Sequence, residues 1–143
     1  MSELYDTDIV TWADVQAELL RRRAAGELVN EADIDWPNVV AEIESVGQSQ
    51  VDAVEWLLYQ AFVHDLKAQG WPLSRDVENW RADARGFRAQ ARRKYRASMA
   101  QKLDIPGLYA DALYALPETI GGIPPLPVPA TCPVTLDELL AVD

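Results

Sequence analysis

The chain has 143 residues, with 13 Lys and Arg against 23 Asp and Glu, a formal net charge of −10 and a sequence pI near 4.5. That length suits a single domain able to bury about 70% of its unfolded surface, and its one cysteine, Cys132, excludes an intrachain disulfide and a four-cysteine zinc site. The acidic start Met-Ser-Glu-Leu-Tyr-Asp lacks a secretory layout and no apolar run nears the roughly 18 residues needed to cross a bilayer, so the expected setting is cytoplasmic, without a membrane span.

The first periodic segment, about residues 8–25, places Ile9, Trp12, Leu19 and Leu20 on one side and predicts an amphipathic helix ended near Gly26. Acids at its start and Arg21, Arg22 and Arg23 in its last turns complement the helix dipole, so the triple arginine needs no ligand to explain it. An acidic linker leads to Asp35-Trp36-Pro37, a capping carboxylate followed by proline in the first turn of a second helix over about 37–68. Val39, Val40, Ile43, Gly47, Val51, Val54, Leu57, Leu58 and Ala61 form its stripe. Gly47 interrupts that stripe at a cost of about 1 kcal/mol relative to alanine, which predicts a kink or the close approach of another helix.

Gly70-Trp71-Pro72-Leu73 predicts a turn, and Ser74 a cap for a third helix over about 74–103 bearing Trp80, Ala84, Phe87, Ala91, Tyr95 and Met99 at helical spacing. The second and third helices are expected to form a long antiparallel hairpin. Pro106 opens a short helix, about 107–116, and six of the nine prolines then fall between Pro117 and Pro133, which excludes helix and central strand. The expected conformation of 117–134 is an extended strap that brings a last helix, about 136–141, back to the bundle. Thr135-Leu136-Asp137-Glu138 is a capping box for that helix, and Leu139 and Leu140 would be wasted in solvent.

Charge is distributed unevenly. Nine of the thirteen basic residues and only three acids lie between Ser74 and Lys102. Arg81, Arg85, Arg88, Arg92 and Arg96 recur every three or four residues, so they form one row on the third helix, roughly 90° from the Trp80, Phe87 and Ala91 face. With a turn near residues 71 and 72, Glu55 comes level with Arg88 and Glu44 with Met99, which predicts an internal ladder of carboxylates and guanidinium forks. The competing reading is a surface for phosphates or an acidic protein, with Trp80 and Tyr95 available for base stacking. Five unpartnered arginines would repel one another, and the preceding helix is rich in acid, so internal pairing is the favoured expectation.

Catalytic groupings are nearly absent by counting. There is one histidine, His64, and the chain contains no His-Glu-x-x-His, no phosphate-binding Gly-x-x-x-x-Gly-Lys and no Gly-x-Ser-x-Gly. Glu42, Glu44 and His64 are the thinnest basis for a metal-dependent hydrolase, because carboxylates two apart on a helix diverge. His64, with Trp71 and Trp80, is read instead as a polar site near the turn. No metal or cofactor is expected.

Leu4-Tyr5-x-x-Asp8-x-x-x-Trp12, Asp35-Trp36-x-Asn38-x-x-Ala41-Glu42-x-Glu44-Ser45-x-Gly47, His64-x-Leu66-Lys67, Trp80-Arg81 and Cys132-Pro133-x-Thr135-Leu136 follow in order along the chain. Together they resemble the bacterial family called domain of unknown function 29. The resemblance implies a small all-helical protein without established activity. The chain departs from that pattern in its longer proline-rich stretch and in Asp65, where the family more often has an apolar residue. The resulting expectation is an all-α helical bundle that acts as a non-catalytic interaction or assembly module, binding itself or another protein. Nucleic-acid binding through the arginine row is the alternative.

Overall fold

The computed structural model describes residues 2–141. Among them the protein is all-helical, with six α-helices, two 3₁₀ segments and no strand. Two compact units, Met1–Gln48 and Ser49–Asp143, divide within one long helix, where the sequence suggests a single domain. No helix among the described residues is long and apolar enough to cross a membrane.

In Met1–Gln48, α1 (Ser2–Thr7) and α2 (Ile9–Ala24) meet at Asp8. The Asp8 carboxylate accepts hydrogen bonds from the Thr11 hydroxyl (2.7 Å) and the Thr11 amide (3.1 Å), and these bonds hold its pKa below the usual carboxylate value. A 3₁₀ turn, Glu31–Asp33, leads into α3 (Trp36–Gly70). The unit is held by a small core of Trp12, Ile34 and Val39 wrapped around two buried polar residues, Gln16 and Asp35. Trp12 Nε1 and Asn38 Nδ2 donate to the Asp35 carboxylate at 3.0 and 2.8 Å, and the Asp35 amide donates to Gln16 Oε1 at 2.8 Å. Tyr5 stacks edge-on against Trp12 at 4.9 Å and donates its hydroxyl to Glu42. Every buried polar side-chain atom among the described residues has a partner, as a low-dielectric interior requires.

Ser49–Asp143 contains the rest of α3, then α4 (Val77–Lys94), a 3₁₀ segment (Ala97–Lys102), α5 (Ile105–Ala115) and α6 (Leu136–Leu140). Val51, Val54, Leu58 and Leu66 of α3 are buried with Ala91 of α4, Leu108 and Ala112 of α5 and Leu139 of α6. Phe62 and Tyr109 meet edge-on at 5.3 Å. Between α3 and α4, Trp56 and His64 pack against Phe87 at 5.9 and 5.2 Å.

The third helix differs from its expected extent at both ends. Ser74 caps a turn through the Asp76 amide (3.1 Å), and α4 begins only at Val77. It stops at Lys94, where Tyr95 and Arg96 turn extended, and the following 3₁₀ segment delivers Met99 to the core. No Gly or Pro marks that break, so propensity carried the helix past it. Tertiary burial of Met99 and Leu103 decides the path instead.

The proline-rich segment touches the same unit at several points. Gly121 and Gly122, at φ 59° and 78°, form a tight turn closed by reciprocal Ile120–Ile123 backbone bonds of 3.0 Å. Two consecutive positive φ values select glycine there. Beyond the turn, Trp71 Nε1 donates to Ile123 O at 2.7 Å, Leu126 N donates to Gly70 O at 2.8 Å, and the Tyr109 hydroxyl donates to Pro129 O. The capping box on Thr135 and Glu138 then starts α6, which packs against α4.

Candidate functional site

α4 projects its basic side chains in a row because Arg81, Arg85, Arg88 and Arg92 follow helical spacing, while Ala84 and Ala91, on the adjoining flank, are buried. The members of that row have different environments. Arg81 is exposed and bonds Glu78 of its own helix at 2.8 Å. Arg88 is half-buried and donates to Asp65 of α3 at 2.7 Å. Arg85 and Arg92 are exposed and make no ion pair among the described residues. Arg96 leaves the row. It lies past the end of α4, and its guanidinium bonds Arg93 O (3.0 Å) and Tyr95 O (2.8 Å), satisfying a carbonyl that the helix end leaves open.

The carboxylates of the expected ladder stand elsewhere. Glu44 is exposed in Met1–Gln48 and makes no ion pair among the described residues. Glu55 is half-buried and unpaired with Arg88, and burial, reinforced by Asp52 and Asp104, raises its pKa. Arg88 meets Asp65 and not Glu55, although Trp56 and Phe87, the residues next to Glu55 and Arg88, are in ring contact. A signal for Asp65 was present. It continues the apolar spacing of Leu58 and Ala61, where an unpartnered carboxylate would carry a heavy desolvation cost.

His64, Trp71 and Trp80 do not form one site. His64 Nδ1 lies 2.7 Å from Gln60 O, which requires a proton on that nitrogen and leaves Nε2 facing Asp83 at 3.9 Å. Trp71 is buried and engages Ile123, whereas Trp80 is half-buried and shares no ring contact with either residue among those described. A mainly apolar pocket of about 440 Å³ lies beside Trp71, lined by Leu73, Ile120, Ile123 and Leu126 among others. Among the described residues no three His, Cys, Asp or Glu side chains converge to hold a metal ion. Glu42 is engaged by the Tyr5 hydroxyl and His64 by Gln60 and Asp83.

Two clefts flank Arg88. One, about 190 Å³, is lined by Asp65, Tyr109 and Glu138. The other, about 130 Å³, is bounded by Arg85, Arg88 and Arg92 of α4 with Ala89 and Ala141. The second is cationic on one whole side, and its central arginine is held in place by Asp65. Such an arrangement can bind an anion through planar, two-pronged donors.

An α-helical protein of unknown function from Rhodospirillum rubrum ATCC 11170, solved by crystallography, is similar to this chain at a TM-score of 0.64 and 21% identity, over 97% of this chain and 90% of that one. At that identity the likeness speaks to the helical fold alone. No curated protein matches the chain significantly. Of the N-terminal signature, Tyr5, Trp12, Asp35, Asn38 and Glu42 take part in the hydrogen bonds around the core of Met1–Gln48, and Asp8 caps α2. Residues 4–143 match the family described as Domain of unknown function DUF29, and the chain belongs to that family.

Proposed function

We propose that the protein is an assembly module that associates with a second copy of itself through the exposed face of α3 between Trp36 and Gly47. The observation that carries this reading is an apolar face without cover. Val40, Ile43 and Val46 are 49%, 68% and 64% exposed, although positions 40, 43 and 47 continue the spacing of α3's apolar stripe.

Gly47 supports the same reading. A β-carbon built at that position meets no atom within 4 Å, and the helix continues through it, so the chain's own packing gives no reason for glycine there. A partner helix that must come close does give one. The choice of a second copy rests on charge. Residues 1–48 hold eleven acids and three bases, whereas α4 holds six bases and two acids, so each copy carries both of two complementary surfaces. The register of the α3–α4 contacts, Trp56 with Phe87 and His64 with both Phe87 and Asp83, supports an antiparallel hairpin as the rigid frame of the module.

Sedimentation of the purified chain is expected to show concentration-dependent dimers, converted to monomer by Ile43→Asp with an unchanged helical spectrum. A wild-type chain that stays monomeric at high micromolar concentration refutes the proposal. So does an Ile43→Asp variant that dimerises as well as the parent.

A further inference from the structure

We propose that the cleft bounded by Arg85, Arg88 and Arg92 is a binding site for one tetrahedral oxyanion, a phosphate or a phosphomonoester. Its three guanidinium groups come from successive turns of α4 and face one open space of about 130 Å³ that Ala89 and Ala141 also line. Arg88 is fixed by its 2.7 Å bond to Asp65, so the centre of the site is preorganised before any ligand arrives. Arg85 and Arg92 have no carboxylate within ion-pair distance among the described residues. Like charges three and four residues apart on a helix destabilise it, and an anion between them removes that repulsion.

Among the described residues, the acids around the cleft do not cancel its charge. Asp65 is engaged by Arg88, Glu78 by Arg81, and Glu138 lines the neighbouring cleft and belongs to the α6 capping box. Two guanidinium groups therefore remain for the ligand, with a share of the third. That complement matches a doubly charged oxyanion better than a monovalent one.

Size and charge both favour a small ligand over a polymer. The space is well below the roughly 300–1,000 Å³ of sites that enclose drug-sized molecules, and a chain carrying −10 overall repels a long polyanion beyond its short basic helix. The side chains that would hold the ligand are on rigid helix, not loop.

The test is calorimetric titration of the full chain with inorganic phosphate, with phosphoserine and with a single-stranded oligonucleotide, each at matched ionic strength against chloride. One-to-one binding of phosphate or phosphoserine is expected. It should weaken by about tenfold or more in Arg85→Gln and Arg92→Gln and be unchanged in Arg93→Gln, an exposed neighbour that does not line the cleft. Tighter binding of phosphate than of phosphoserine would mark the free ion as ligand, and the reverse would mark the ester. No binding of either in the wild-type chain overturns the proposal, as does equal loss in Arg93→Gln. Oligonucleotide binding that exceeds that of both small anions also overturns it, because the row is then a polymer surface.

Discussion

The Asp65–Arg88 pair joins α3 to α4, and a double-mutant cycle measures its strength. The two side chains are 33% and 21% exposed and meet at 2.7 Å, short for a guanidinium–carboxylate bond. Fully exposed pairs contribute about 0.2–1 kcal/mol, whereas hydrogen bonds to charged groups shielded from water contribute about 1.5–3 kcal/mol. Partial exposure places the coupling between these ranges, at about 1–2 kcal/mol. Arg88→Ala alone should cost about 1–3 kcal/mol, because it leaves a half-buried carboxylate without its main partner and removes the packing of the arginine stem. Arg85→Ala, at an exposed position, should stay within about 0.5 kcal/mol of wild type. The assay is urea unfolding of wild type, Asp65→Asn, Arg88→Ala and the double variant, repeated at about 1 M salt, where the screening length falls to about 3 Å and the coupling should shrink. A coupling below about 0.3 kcal/mol in low salt would show that the pair is no more than a surface contact and that Arg88 is not held in place by Asp65.

Gly47→Ala should raise the stability of the isolated chain by up to about 1 kcal/mol, since a methyl group there meets nothing and alanine is the better helix former. The same change should weaken self-association, and thermal melts and sedimentation together read the two effects with opposite sign. Unchanged association refutes the close-approach role of Gly47. Asp35 provides a pH signature for Met1–Gln48. Its carboxylate is stabilised first by Asn38 and then by Trp12, against opposing desolvation, and its folded pKa lies below the ordinary value. Its contribution to stability is therefore complete above about pH 4 and lost as pH falls through the lowered folded value. Trp12 fluorescence followed through an acid titration should report that loss. An identical transition in Asp35→Asn would show that another group controls it.

Local chemistry made much of the helical outline legible. Pro106, the Thr135–Glu138 box and the proline-rich run act through their own backbone restrictions, and the observed elements change near these residues. The N-terminal signature was legible as a pattern but not as a network. Trp12 and Asp35 are 23 residues apart, and nothing in either sequence neighbourhood says that an indole will donate to that carboxylate.

The candidate site was legible in part. Helical spacing alone puts Arg81, Arg85, Arg88 and Arg92 in one row, because that follows from 3.6 residues per turn and needs no neighbour. Which carboxylate faces Arg88 depends on how α3 and α4 pack, and the spacing within either helix does not by itself select Asp65 over Glu55. The fate of Arg96 was hidden for a related reason. α4 ends at Lys94 without glycine or proline, since burying Met99 and Leu103 outweighs the modest propensity that would have continued it. Spacing and backbone chemistry thus reach as far as single helices and their caps, and the pairing of charges between helices is settled only when the core chooses its register.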